Sequence, residues 1–318
     1  MTILRATMRS IPMLCILFLA GCKPTPIPSR GEGSAEVQHS MYYWRTVYEL
    51  DSTEQAFLQE HKVERLYMRY FDVVLNDEGE AVPNATLAFR SPKRDGVEVV
   101  PTVFIMNDCM LSPPSDLAGK LLERVVQMSE TNDMGEVREI QVDCDWTLRT
   151  RERYFAFLQQ LQALAHERDI QLSTTIRLHQ LSQPVPPADK GVLMVYNTGD
   201  VKDLQCEHPI LDLKDVEPYL RYLKRYQLPM SAAYPLFQWK VLFRNGRFVG
   251  ILHADDELPV LSTDSIVVRQ PDMEHIMEAK HRLGRLRPDL HKEVILYDLQ
   301  QKNITKFNHH EYEEIFNH

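Results

Sequence analysis

The feature that most constrains this chain is an alternation. From residue 40 on, short β-branched and aromatic runs take turns with amphipathic stretches. The spacing predicts strands at Ser40–Leu50, Val63–Leu75, Val97–Met106, Ile140–Trp146, Gln171–Leu181, Val192–Tyr196, Leu228–Trp239 and Val294–Leu299. Between them, Asp51-Ser52-Thr53 caps a helix running to about Lys62, and Ser115-Asp116 opens one with Leu117, Leu121, Val125 and Met128 on a single face. Thr150 caps a third, with Tyr154, Phe157, Leu158, Leu161 and Leu164 inward. Val216–Tyr226 and a closing segment from about His310 complete the helices, and Asn76 to Gly96 reads as a turn and irregular excursion. Strand–helix alternation selects a parallel sheet, and eight strands select closure, so the expected fold is an α/β (β/α)8 TIM barrel over residues 40–318. An apolar content of 44% supplies the core. One insertion interrupts the pattern after the seventh strand. Residues 241–252 place Asn245-Gly246 between alternating apolar runs, the signature of a hairpin whose two turn residues need positive φ.

The N-terminus has a different composition. Arg5 and Arg9 precede the apolar run Ile11–Leu19, which is shorter than the roughly 20 residues a membrane-spanning helix needs. Leu19-Ala20-Gly21-Cys22 follows, with small residues ahead of a cysteine as at a secretory cleavage point. That tetrapeptide resembles the lipobox of bacterial lipoproteins. The resemblance implies a signal peptide at 1–21, cleavage before Cys22, diacylglycerol on its thiol and a lipid-anchored protein of the bacterial envelope. The other reading is a plain signal peptide with a chance cysteine. Lys23, where enteric bacteria place Asp for inner-membrane retention, favours the outer membrane. Residues 22–39 carry Pro, Gly and Ser in the manner of an extended tether. Removing Arg5 and Arg9, with no acids, takes the formal charge from −9 to −11, which disfavours nucleic acid as a partner. The expected membrane contact is therefore the lipid on Cys22.

Of five cysteines, Cys109, Cys144 and Cys206 remain after Cys15 and Cys22 are accounted for. They show no zinc-like spacing, and both a Cys109–Cys206 disulfide and three unpaired thiols fit. His309-His310-Glu311 invites a metal reading, but adjacent side chains on a helix diverge, so no metal is expected there. No Gly-rich phosphate loop, nucleophile elbow or cofactor motif is present, and no cofactor is expected.

The clearest chemistry lies on the fourth strand, Glu139-Ile140-Gln141-Val142-Asp143-Cys144-Asp145-Trp146-Thr147. Alternation puts Ile140, Val142, Cys144 and Trp146 on the helix-facing side and Gln141, Asp143, Asp145 and Thr147 toward the lumen. Asp143 and Asp145 then sit about 6–7 Å apart at the strand's C-terminal end, where barrel enzymes place their chemistry. Like charges so placed tend to raise one pKa. Alternatively, Arg69 and Arg177 neutralise them for structure alone. On the fifth strand Ser173, Thr175, Arg177 and His179 share a face, so Arg177 can pair with either acid and His179 can act as base or ligand, or as an ordinary structural histidine. Trp44, Tyr70, Tyr196, Tyr234 and Trp239 fall at strand ends, as platforms for sugar rings or as core.

Asp143-Cys144-Asp145-Trp146 resembles the fourth-strand Asp-x-Asp-x-Glu signature of the family-18 chitinases, and Met194-Val195-Tyr196-Asn197 resembles their sixth-strand Met-x-Tyr-Asp. In that family the last acid protonates the leaving oxygen, the middle acid orients the substrate's acetamido group, and the Tyr and Asp help to hold it. Here the proton donor's position is Thr147, whose hydroxyl cannot serve as a general acid near neutral pH, and the sixth-strand Asp is Asn197. Either another acid substitutes, with Asp108, Asp145 and Asp298 as candidates, or the barrel binds without cleaving. More of the chain resembles an uncharacterised family of bacterial TIM-barrel lipoproteins and secreted proteins. Trp44-Arg45, Gln141–Asp145, Leu172–Thr175, Leu193–Tyr196 and the block Tyr234–Phe248 carry that similarity, which implies fold and export rather than an activity.

The expectation is an envelope-anchored, glycoside-hydrolase-like barrel that binds or processes a glycan. Asp143 and Asp145 are central to it, and Trp44, Arg69, Asp108, Arg177, His179, Tyr196, Asn197, Tyr234 and Trp239 are candidates for binding. The alternative is a non-catalytic scaffold for envelope proteins. An open acidic mouth lined by aromatics supports the first, and a mouth plugged by side chains or by the hairpin supports the second.

Overall fold

The computed structural model describes residues 36–252 and 261–317. The signal segment 1–21, Cys22 and the tether up to residue 35 lie outside the described residues. Eight parallel strands form the barrel: β1 (Gln38–Tyr43), β2 (Arg65–Leu75), β3 (Glu98–Ile105), β4 (Glu139–Asp143), β5 (Gln171–Arg177), β6 (Lys190–Met194), β7 (Met230–Pro235) and β8 (Glu293–Tyr297). β1 pairs with β8 on one side (Gln38↔Glu293) and with β2 on the other (Ser40↔Arg65), which closes the ring. The barrel is the expected one, with shorter strands than the sequence suggests. β4 stops at Asp143 and β5 at Arg177, so Asp145, Thr147 and His179 are not on strands.

The helices are α1 (Ser52–Glu60), α2 (Leu117–Thr131), α3 (Arg151–His166), α4 (Leu213–Leu223), α5 (Met273–Leu286), α6 (Gln301–Ile304) and α7 (His309–Asn317). α1 begins at a capping box in which Asp51 accepts from the Glu54 amide (2.8 Å) while Glu54 accepts from the Asp51 amide (3.2 Å). Two crossovers contain no α-helix among the described residues. β2 leads through Ala81–Asn84, antiparallel to it, and β5 leads into a 3-10 turn at Leu178–Ser182. No described helix is long and apolar enough to cross a membrane.

Outward-facing Ile140, Val142, Leu172, Ile176 and Leu193 pack in the large core with helix residues such as Leu121, Phe157 and Leu161. The lumen has its own filling of Tyr42, Tyr67, Val100, Val192, Met194, Ala233 and Ile295. Below it, Glu293 accepts from Ser40 (2.7 Å), Ser231 (2.8 Å), Tyr67 (3.1 Å) and Lys190 (2.6 Å), with Arg65 at 3.4 Å. Burial pushes the Glu293 carboxyl up, but Lys190 and Arg65 outweigh it and bring it down to about 2. The lumen is thus packed and its floor charged, which leaves the C-terminal mouth as the place for a ligand.

The insertion is larger than a hairpin. Trp239–Arg244 and Arg247–Leu252 pair antiparallel, and Asp264–Arg269 adds a third strand on the free edge of the first. Asn245 (φ 50°) and Gly246 (φ 73°) form the turn with both residues at positive φ. Cys109, Cys144 and Cys206 are all free thiols, so no Cys109–Cys206 bridge forms.

Candidate functional site at the barrel mouth

A cavity of about 630 Å³ opens at the C-terminal end of the barrel. Its floor carries Asp143 from the tip of β4 and Arg177 from the tip of β5. Thr175 donates to Asp143 Oδ1 (2.6 Å), and Arg177 Nη2 donates to the same oxygen (2.9 Å). Arg177 Nε reaches Asp145 Oδ1 at 2.6 Å. One guanidinium therefore bridges both acids, which fulfils the expected pairing and offsets their mutual repulsion. Burial works against the charge on Arg177, but the two aspartates outweigh it and hold the guanidinium protonated. Its Nη1 is buried without a protein partner.

The expected carboxylate pair is unequal. Asp143 is buried, whereas the Asp145 side chain is 59% exposed beyond the end of β4 and does not line the cavity. Thr147 is exposed and turned to Thr150, whose hydroxyl accepts from the Thr147 amide at 3.0 Å. Asp108 is exposed on a 3-10 turn after β3, and His179 is exposed on the turn after β5; neither lines the mouth. Asp298 does line it, just past β8, but both of its oxygens are engaged, by Asn303 (2.5 Å) and Gln300 (2.6 Å). Burial raises its carboxyl above the usual range.

The walls are aromatic. Trp44, Tyr196 and Trp239 stand there as the sequence suggests, joined by Phe237 and Tyr297. Tyr297 packs against Trp44 (5.6 Å between ring centroids) and Tyr196 (5.2 Å), while Phe237 packs against Trp239 (5.2 Å). Arg69 lies over the Trp44 ring at 5.6 Å and pairs with Asp72, not with the β4 acids. Asn197, at φ 55°, closes the wall after β6. From the insertion, Ile251 and Leu252 form part of the wall without filling the opening.

Two expected platforms sit elsewhere. Tyr234 is fully buried on the outer face of β7, where its hydroxyl bonds His291 Nε2 at 2.7 Å. Its neighbour Ala233 takes the lumen side. Tyr70 is buried in the same outer core and bonds Ser129 at 2.9 Å, since it continues the outward series of Leu66 and Met68 opposite lumen-facing Tyr67; a bulge between Arg69 and Phe71 then turns Phe71 and Val73 outward as well. The sequence reading in turn missed Phe237 and Tyr297. Strand alternation carried the signal for Tyr297, two residues beyond lumen-facing Ile295. The mouth is also less acidic than expected: Asp143 and Asp298 are balanced by Arg69, Arg177 and Lys302.

No family model matches the chain, and no curated protein matches its sequence. Solved structures do match by fold. The spore cortex-lytic enzyme SleL of Bacillus cereus superposes with a TM-score of 0.56 at 14% identity, over 89% of this chain and 75% of that one. A chitinase of Chromobacterium violaceum gives 0.56 at 12% identity, over 88% and 98%. A family-18 chitinase of Cycas revoluta, solved with (GlcNAc)3, gives 0.58 at 11% identity, over 88% and 100%. The barrel is thus distantly similar to those of family-18 chitinase-like proteins, the resemblance that the β4 and β6 motifs suggested.

Proposed function

We propose that this protein is an envelope-anchored barrel that binds a short, uncharged glycan in its mouth and releases it intact. The observation that carries the reading is the composition of the cavity: aromatic walls of Trp44, Tyr196, Phe237, Trp239 and Tyr297 around a charge-compensated floor of Asp143 and Arg177. Sugar rings present apolar C–H faces to aromatic rings and hydroxyls to polar groups at the edges. The cavity volume suits a small ligand. Buried Arg177 Nη1 has a proton to donate and no protein acceptor, so a ligand oxygen answers it.

Hydrolysis by the family-18 route lacks its acid. Thr147 cannot protonate a leaving group, Asp145 stands outside the cavity in an ion pair, and Asp298 has both oxygens committed. Asp143, Tyr196 and Asn197 remain suited to holding an acetamido or hydroxyl group. The protein names among the structural matches (a spore cortex-lytic enzyme, chitinases) support a glycan as the ligand class. The lipobox-like Leu19–Cys22 supports a lipid anchor at Cys22, and Lys23, where a retention Asp would stand, supports the outer membrane over the inner.

A glycan array combined with a hydrolysis screen tests this reading, with Asp143→Asn and Asp145→Asn alongside. Wild-type binding without product, lost in Asp143→Asn and kept in Asp145→Asn, is the expected result. Product formation that depends on Asp145 would overturn it. The scaffold reading retains one supporting observation, since the insertion sheet exposes Val249, Ile266 and Val268. Failure of every glycan on the array would leave that reading standing.

A further inference from the structure

A second cluster of ligand-type side chains lies away from the mouth, between the end of α1 and the start of α7. Glu60, His61 and His309 each place a ligand atom within 4.8 Å of the other two. His309 Nδ1 lies 2.9 Å from Glu60 Oε1, and His61 Nδ1 lies 3.1 Å from Glu313 Oε1. The two imidazoles are stacked, with centroids 5.0 Å apart. Bonds of about 2.0 Å to a tetrahedral zinc set ligand atoms about 3.3 Å apart, within the 4.8 Å reach of these three.

We propose that Glu60, His61 and His309 bind a divalent cation of the zinc class, with Glu313 as carboxylate partner of His61, and that the cation fastens α7 to α1. Mixed imidazole and carboxylate donors suit zinc and its neighbours, whereas magnesium and calcium prefer oxygen alone. Neither Glu60 nor Glu313 pairs with a lysine or arginine among the described residues; their ion-pair partners are the two histidines. With neutral imidazoles the cluster carries two uncompensated negative charges. His61 is buried, while the side chains of Glu60 (54%), His309 (56%) and Glu313 (40%) are open enough to admit an ion. A carboxylate on the second face of a ligating imidazole is the usual device for fixing its orientation.

The other such trio, His208, Asp272 and His275, is a helix cap. Asp272 Oδ1 already accepts from the His275 amide (2.9 Å) at the start of α5 and from the His275 ring (2.7 Å). The adjacent pair His309-His310 is not the site either. His310 points to Glu314 instead, and the partners of His309 come from α1.

The test uses full-length, untagged protein in detergent, stripped with a chelator and titrated with zinc chloride. Calorimetry is expected to show one equivalent bound and thermal unfolding a rise in Tm. Glu60→Gln and His309→Ala each weaken binding at least tenfold and abolish the Tm rise, and His275→Ala does neither. Circular dichroism of the metal-free variants checks that both exposed substitutions leave the fold intact. X-ray absorption of the wild-type zinc complex should show two imidazoles with oxygen in the remaining positions. Absence of stoichiometric binding, undiminished affinity in both variants, or a sulfur in the shell would overturn the proposal. Glycan binding enters none of these readouts.

Discussion

Glu293 is buried among Lys190, Arg65, Ser40, Ser231 and Tyr67 at the barrel floor. Its folded pKa of about 2 lies below the ordinary 4.5, so it contributes stability above pH 4.5 that is lost as pH falls toward 2. Glu293→Gln is expected to cost on the order of 2–3 kcal/mol near neutral pH, since it removes the anion nearest Lys190 and leaves Glu139 to face Lys190 (3.7 Å) and Arg65 (3.6 Å), with Glu98 on Arg65 (2.8 Å). Denaturant titration at pH 7 and at pH 3 checks this, with a smaller difference at the lower pH. Lys280 behaves oppositely. It is buried on α5 without a carboxylate in ion-pair range among the described residues, and burial lowers its ammonium to about 8 from 10.5. Between those values the unfolded chain binds more protons, so stability rises with pH through that window. Lys280→Met should therefore gain on the order of 2 kcal/mol at pH 7 and little at pH 10.5, read from the same titrations. Side-chain roles were legible where alternation is regular. Ser173, Thr175 and Arg177 face the lumen as the pattern of β5 requires. Tyr70 was legible by the same rule, as the continuation of outward Leu66 and Met68, whereas the outward turn of Phe71 and Val73 was not, because the bulge before them leaves no mark in the hydrophobic pattern.

At the scale of elements, the insertion sheet depends on one tight turn. Asn245 tolerates positive φ through its short polar side chain and Gly246 through having none. Gly246→Ala should destabilise the sheet by about 1 kcal/mol. Hydrogen exchange should then quicken in 239–244 and 247–252 and stay unchanged in β1–β8. The turn was readable because Asn-Gly has few other uses between apolar runs. The third strand, Asp264–Arg269, was not, since its side chains at 265, 266 and 268 are exposed and show no buried–exposed alternation. The strand ends were likewise hidden: β4 and β5 stop where the chain turns over the mouth, while the apolar pattern continues through Trp146 and Leu181, which are buried there without being in strands.

For the whole molecule, closure of eight parallel strands follows from the alternation, and closure directs ligands to the strands' C-terminal ends. What fills that end depends on residues distant in sequence: Trp44 after β1, Phe237 and Trp239 after β7, and Tyr297 on β8. Trp44, Tyr196 and Trp239 were foreseen one by one from their places at strand ends, but no local pattern reports their convergence, and Phe237 carried no signal of its own. If the mouth holds the glycan, Trp239→Ala should weaken binding about tenfold, roughly 1.4 kcal/mol, with unfolding unaffected.

Intrinsic tryptophan fluorescence tests the central claim most directly. Of three tryptophans, Trp44 and Trp239 line the mouth and Trp146 is buried behind β4. Titration with the best glycan from the array, with mass spectrometry of the ligand afterwards, should give a saturable emission change that is reduced in Trp239→Phe and a glycan recovered whole. A flat emission at saturating glycan, or a ligand recovered as fragments, would contradict a mouth that binds without cleaving.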